Sequence, residues 1–190
     1  MPSMSAEELK ERLTRDLPGA LAPARAKAEH VTNGSAAPQT DPPAKPKKGA
    51  EGPVDLLATN DAIVLSERIP DVVRYVRDTL GYTFLTDLTA VDYMADGLIE
   101  LIYRFLHLDG GPTMAIKTRV PRDRAVVPSI TPFWPGADLQ EREAYDMYGV
   151  DFPGHPNLVR VYMWDEFEGF PMRKDFPRQG DKYIEEEDEA

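Results

Sequence analysis

Cysteine is absent from the 190-residue chain. That absence excludes disulfides, thiolate-held zinc, cysteine-held iron–sulfur clusters and a thiol nucleophile on this polypeptide. Long apolar runs are missing as well. The most apolar stretch, residues 97–108, is broken by Glu100 and Arg104, and it falls short of the roughly 20 residues needed to cross a bilayer. Glu7, Glu8 and Glu11 stand where a signal peptide would carry its apolar core, so a reducing, cytosol-side location is expected. Positive charge is scarce. Lys and Arg number 22 against 33 Asp and Glu, a net charge of −11, which argues against a nucleic-acid surface, since phosphate binding needs clustered cations. The three histidines, His30, His107 and His155, are scattered and lack the spacing of a metal site. Neither a G-x-S-x-G elbow nor a glycine-rich phosphate loop is present, so triad hydrolysis and dinucleotide binding have no support.

What is present divides the chain into three expected parts: an extension over 1–53, a domain over 54–150 and an arm over 151–190. In the extension, Ser5 followed by Glu8 opens a short helix over 5–16. Seven prolines over 18–53 then read as a semi-extended linker. Leu56-Leu57 and residues 62–65 read as a strand pair, and Pro70 starts a helix carrying Val72, Val73, Val76 and Leu80 that Gly81 stops. Strands are expected over 82–92, 98–108 and 113–120, joined by turns at Asp96-Gly97 and Asp109-Gly110-Gly111. Another helix is expected over 138–148, with Asp138 as its cap, Glu141 completing a capping box and Gly149 as its stop. This order implies an α+β fold: a two-layer domain with a mostly antiparallel or mixed sheet and two or three helices, plus an extended C-terminal arm.

The arm is the unusual part. Pro153, Gly154, Pro156, Gly169 and Pro171 forbid long regular elements, yet six of the 17 aromatics lie between Phe152 and Phe176. Each large aromatic buries about 150–250 Å² when covered, so the arm either folds back on its own sheet or lies along a partner, and a partner is the expected cover. The acidic run over 185–189 is expected to be solvated.

Polar chemistry concentrates in residues 141–146. On a helix Arg142 and Asp146 fall four apart and pair, while Glu141 sits one turn below Tyr145. The bland reading is a salt-bridged helix; the sharper one is a carboxylate pair for acid–base work, with Glu141, Glu143 and His155 serving a free-standing hydrolase or lyase. His155, in Gly-His-Pro, reads as a loop histidine fixed by backbone contacts. Arg173-Lys174-Asp175 is either a solvated turn or an interface anchor in which Arg173 grips a carboxylate. A free-standing adaptor is a third class.

Glu-Arg-Glu-Ala-Tyr-Asp-Met-Tyr-Gly-Val over 141–150, Phe-Pro-Gly-His-Pro-Asn-Leu over 152–158 and Gly-Phe-Pro-Met-Arg-Lys-Asp-Phe-Pro over 169–177 resemble, in order, the 30 kDa subunit family of respiratory complex I. Val-Pro-Ser-Ile-Thr over 127–131 and Asp-Leu-Thr-Ala-Val-Asp over 87–92 resemble it too. The chain departs from the family pattern at 138–140, where an aromatic usually precedes the E-R-E, and at Val159, where a second basic residue usually precedes Arg160.

The resemblance implies a non-catalytic peripheral-arm subunit of a proton-translocating NADH:quinone oxidoreductase. It would sit on the cytoplasmic face of the cell membrane and touch the membrane only through the complex. The arm would clasp the 49 kDa-type subunit near the quinone site, beside cluster-bearing subunits. NADH, FMN, iron–sulfur clusters and quinone would be held by other subunits, leaving this chain without cofactor, metal or catalytic residue. Partner-facing or structural roles are implied for Glu141, Arg142, Glu143, Asp146, Gly149, His155, Pro156, Arg160, Arg173, Lys174 and Asp175. The same module in a reduced-deazaflavin dehydrogenase or a membrane-bound hydrogenase is the alternative.

Overall fold

The structure, a computed structural model, describes residues 4–23, 61–111 and 113–177. Its sheet is built from β1 (Ala62–Ile63), β2 (Phe84–Tyr93), β3 (Leu98–Leu106) and β4 (Met114–Pro121), and its helices are α1 (Ala6–Asp16), α2 (Ile69–Asp78) and α3 (Asp138–Tyr148). The strands lie in the order β1-β4-β3-β2. β2, β3 and β4 pair antiparallel, and β1 joins β4 in parallel, so the sheet is mixed and the fold is α+β.

Strand alternation decides which residues make the core. Ile99, Leu101, Tyr103 and Phe105 of β3 point to one face, opposite Val120, Thr118, Ile116 and Met114 of β4. That row packs with Leu9 and Leu13 of α1, Val72, Val73 and Val76 of α2, and Ala144 of α3. A bulge between Leu85 and Asp87 adds one residue to β2. It lets Leu85 and Leu88, three apart, both reach the core. The opposite row is charged: Glu100 lies between Arg119 at 2.6 Å and Lys117 at 3.5 Å, and Arg104 pairs with Asp87 at 2.6 Å.

The helix expected at the N-terminus forms as read. Ser5 Oγ accepts from the Glu8 N–H at 3.2 Å, and Leu9 and Leu13 are fully buried. α1 therefore contributes to the same core as the sheet rather than standing apart as an extension. The first residues of the Pro-rich stretch also join the sheet: the Ala22 N–H donates to Ile63 O and the Leu65 N–H to Ala20 O, both at 2.9 Å, with Leu21 bridging Val64. The rest of the linker, the 53/54 boundary, the strand expected at Leu56-Leu57 and the acidic run lie outside the described residues. Among the described residues, β1 has β4 and residues 20–22 as its neighbours.

One expectation at α3 fails. The chain enters through a short 3-10 turn, Pro135–Ala137, so Asp138 is already helical and Ala137 occupies the cap position without a side-chain bond. Asp138 is not the cap, and the Glu141 carboxylate is engaged elsewhere. Gly149 does stop the helix, in the left-handed region at φ 70°. A Cβ there would lie 2.5 Å from the Phe170 ring. Gly149→Ala is expected to cost about 1–2 kcal/mol through the left-handed backbone alone, and more through displacing Phe170. Thermal unfolding together with protease cleavage within residues 152–177 measures both effects.

Candidate functional site: the polar pins between helix α3 and the arm

Beyond the single bridge of Asp151 to Val126, residues 152–177 form no helix or strand, and isolated backbone bonds tie them down, the Ser129 N–H to Pro153 O at 2.9 Å and the Met172 N–H to Met147 O at 3.1 Å. Side chains do the rest. Asp146, on α3, is fully buried. Its Oδ2 accepts from the N–H groups of Val161, Tyr162 and Met163 at 2.9, 2.8 and 3.0 Å, and its Oδ1 accepts from Arg160 Nη1 at 2.6 Å. Burial alone would push this carboxyl up, but the backbone donors and the guanidinium together hold it below its ordinary value. Arg160 continues the connection by donating to Phe167 O at 3.0 Å and Gly169 O at 3.2 Å.

The sequence paired Asp146 with Arg142, and here the structure differs. Arg142 turns to the other side, donating to Val159 O at 3.0 Å and Arg160 O at 3.2 Å, with Asp138 at 3.8 Å. Asp146 takes the arm's own cation, Arg160, at 2.6 Å instead. Helical spacing permits an i,i+4 pair but does not outbid a buried long-range one.

A second pin ties α3 to the loop before it, with His155, at the start of the arm, alongside. Glu141 is fully buried. It accepts from Ser129 Oγ at 2.6 Å, Thr131 Oγ1 at 3.0 Å and the Ile130 N–H at 2.7 Å. Burial outweighs these donors and the nearby His155, so its pKa is raised. His155 follows the sequence reading. Its Nδ1 accepts from the Asn157 N–H at 3.0 Å, which leaves Nε2 to donate to Asp138 O at 3.2 Å. Pro156 then carries the chain out to the surface. Glu143, two residues on from Glu141 and so on another side of the helix, is exposed. The three residues of the hydrolase reading are therefore not gathered in one accessible site.

The third pin was not foreseen. Asp92, at the end of β2, accepts from Arg122 Nε at 2.8 Å and from the Lys174 N–H at 2.8 Å. Burial pushes its pKa up, and Arg122 and the Lys174 N–H more than offset this, so the net shift is downward. Arg122 also holds Asp175, through Nη1 at 2.9 Å and through Nη2. Arg173, expected to grip a carboxylate, instead donates to Tyr148 O at 2.7 Å and lies 4.7 Å from the Phe170 ring centre. Residues 173–175 are thus neither a solvated turn nor a free anchor; they are fastened to the end of α3 and to the sheet.

The arm's aromatics are covered only in part by this folding back. Phe152 and Phe167 are buried, while Tyr162 and Trp164 are each 61% exposed. Among the described residues no three His, Asp or Glu side chains converge to hold a metal, and no helix is long and apolar enough to cross a membrane.

Residues 62–182 match the family model for the respiratory-chain NADH dehydrogenase 30 kDa subunit. The chain is 43% identical over 117 residues to an NADH-quinone oxidoreductase subunit of Moorella thermoacetica, covering 62% of this chain and 79% of that protein. It is also 43% identical over 118 residues to the protein of the same name from Citrifermentans bemidjiense, covering 62% and 73%. Among solved structures, it superposes with a TM-score of 0.61 and 26% identity on a chain of the membrane-bound sulfane sulfur reductase, an archaeal respiratory membrane complex. That superposition covers 90% of this chain and 85% of the other.

Proposed function

Because the chain belongs to the family of the respiratory-chain NADH dehydrogenase 30 kDa subunit, we propose that it is a non-catalytic structural subunit in the peripheral arm of a proton-translocating NADH:quinone oxidoreductase. It clasps the 49 kDa-type subunit near the quinone site and lies beside cluster-bearing subunits on the cytoplasmic face of the membrane. NADH, FMN, clusters and quinone are held elsewhere in the complex. The observation that carries this reading is the extent of the family match, which runs from β1 through α3 and the whole described arm. The partly uncovered aromatics of that arm support a partner-facing role, and the lack of cysteine agrees with clusters held by other chains.

A second reading has its own support in the likeness to a sulfane sulfur reductase chain: the same module in a respiratory complex with a different electron input, such as a reduced-deazaflavin dehydrogenase or a membrane-bound hydrogenase. Affinity isolation of the tagged full chain from detergent-solubilised membranes separates the two. Recovery of a 49 kDa-type subunit with cluster-bearing and NADH-binding subunits is expected. The first two with another input module would favour the second reading, and a partner-free monomer would overturn both.

A further inference from the structure

A groove of about 520 Å³ opens between β2, α3 and the arm. Among the described residues β2 is an edge strand, and edge strands present unpaired N–H and C=O groups unless something shields them. At Leu88 the shield is Gln140, whose Oε1 accepts the outward N–H at 2.5 Å. Backbone direction alternates along an antiparallel strand, so the N–H and C=O of Ala90 point outward too, and Ala90 lines the groove. The side walls carry Met147 from α3 and Met163 and Met172 from the arm. Unbranched thioether side chains of this kind adapt to varied apolar partners.

Charge indicates what enters. Glu143 on the wall of the groove and Asp165, Glu166 and Glu168 on the adjoining arm are exposed, and none forms an ion pair among the described residues. The neighbouring arginines, Arg142, Arg160 and Arg173, are spent on this chain's own carbonyls and on Asp146. The exposed Lys174 offsets one of the four carboxylates. Bare charge on the groove wall and the adjoining arm is therefore negative, and the exposed ring of Tyr162 lines the groove.

We propose that this groove receives an extended, apolar, Lys- or Arg-bearing segment of a neighbouring subunit. The segment adds to β2 as a further strand at Ala90, sets alternate side chains among the three methionines, and brings its cations to Glu143 and the carboxylates over 165–168. The inference rests on the reading of the chain as a subunit of a respiratory complex.

The test places a photo-crosslinking residue at Ala90 or at Met147 in the tagged full chain, irradiates intact cells, isolates the complex and sequences the crosslinked peptide. The expected result is one peptide from a neighbouring subunit, touched at alternating residues and carrying at least two Lys or Arg. Contacts at helical spacing, an acidic peptide, or no partner peptide while cluster-bearing subunits still co-purify would overturn the groove proposal alone. Loss of those subunits from the unmodified chain would overturn the subunit reading as well.

Two variants give an independent readout. Ala90→Pro removes an outward N–H that no ladder bond uses, and it is expected to lower retention of the neighbouring subunit about tenfold, a change of about 1.4 kcal/mol, with unfolding of the isolated chain unchanged. Glu143→Lys combined with Glu166→Lys is expected to abolish the loosening of that subunit by added salt. Normal retention in Ala90→Pro, or an unchanged salt response in the double variant, would overturn the proposal.

Discussion

Asp146→Ala is expected to release the arm from the domain and to destabilise the chain by about 3–5 kcal/mol, the range for breaking a buried charge pair by removing one partner. The substitution strands the Arg160 guanidinium and leaves three consecutive N–H groups, those of Val161, Tyr162 and Met163, without an acceptor. Denaturant unfolding reads the loss, and protease cleavage within residues 158–177 shows where it falls. Acid has the same effect by another route. The folded-state pKa of Asp146 is depressed, so its contribution is complete above its ordinary value of 3.8 and disappears as pH falls through the lower folded value. Asp92 shifts in the same direction and holds Lys174, so the arm is expected to loosen at residues 160–163 and at 174 together below about pH 4. Increased protease sensitivity of the arm at low pH, with far-ultraviolet dichroism of the sheet retained, is the expected signature.

Glu141 is expected to behave in the opposite sense. Glu141→Ala orphans the Ile130 N–H and removes the acceptor shared by the Ser129 and Thr131 hydroxyls, of which only one can then donate to the other. At about 1–3 kcal/mol for each of the two buried groups left unsatisfied, a loss of about 2–6 kcal/mol follows. Glu141→Gln preserves the shape. Its carbonyl still accepts from Ile130, and its amide donates to hydroxyl oxygens that reorient, so its loss is expected to stay below about 1.5 kcal/mol. The pH profile separates the two effects. A carboxyl whose folded pKa is raised binds its proton more tightly in the native state. Wild-type stability therefore declines as pH rises from its ordinary value of 4.5 toward the folded value, and Glu141→Gln lacks that decline. Chemical denaturation across this range, wild type against Glu141→Gln, measures it.

The pins explain why some of this chain was legible and some was not. Periodicity located β2, β3, β4, α2 and α3 to within a few residues, because apolar spacing, Gly97 and Gly149 are local signals. Local signals fail where the deciding contact is distant in sequence. Arg142 and Asp146 have the spacing of a pair, but Asp146 takes Arg160 and three N–H groups 14 to 17 residues away. Asp138 and Glu141 have the spacing of a capping box, but a 3-10 turn places Asp138 inside the helix and residues 129–131 claim Glu141. Asp92, which joins β2 to Arg122 and to Lys174 some 82 residues on, carries no local signal at all beyond a carboxylate at the end of an apolar strand. The bulge in β2 is equally silent: Leu85 and Leu88 break strict alternation, and only the folded register shows that an added residue restores it.

The proposed function makes one central claim, that these residues serve assembly and not chemistry. The measurement that tests it most directly is quinone reduction per assembled complex in Arg142→Ala and Arg173→Ala, whose guanidiniums hold carbonyls of residues 148, 159 and 160. The amount of assembled complex recovered from membranes is expected to fall, with turnover per recovered complex within about twofold of wild type. Normal recovery with turnover lowered about tenfold or more would contradict the account and make this chain part of the reaction.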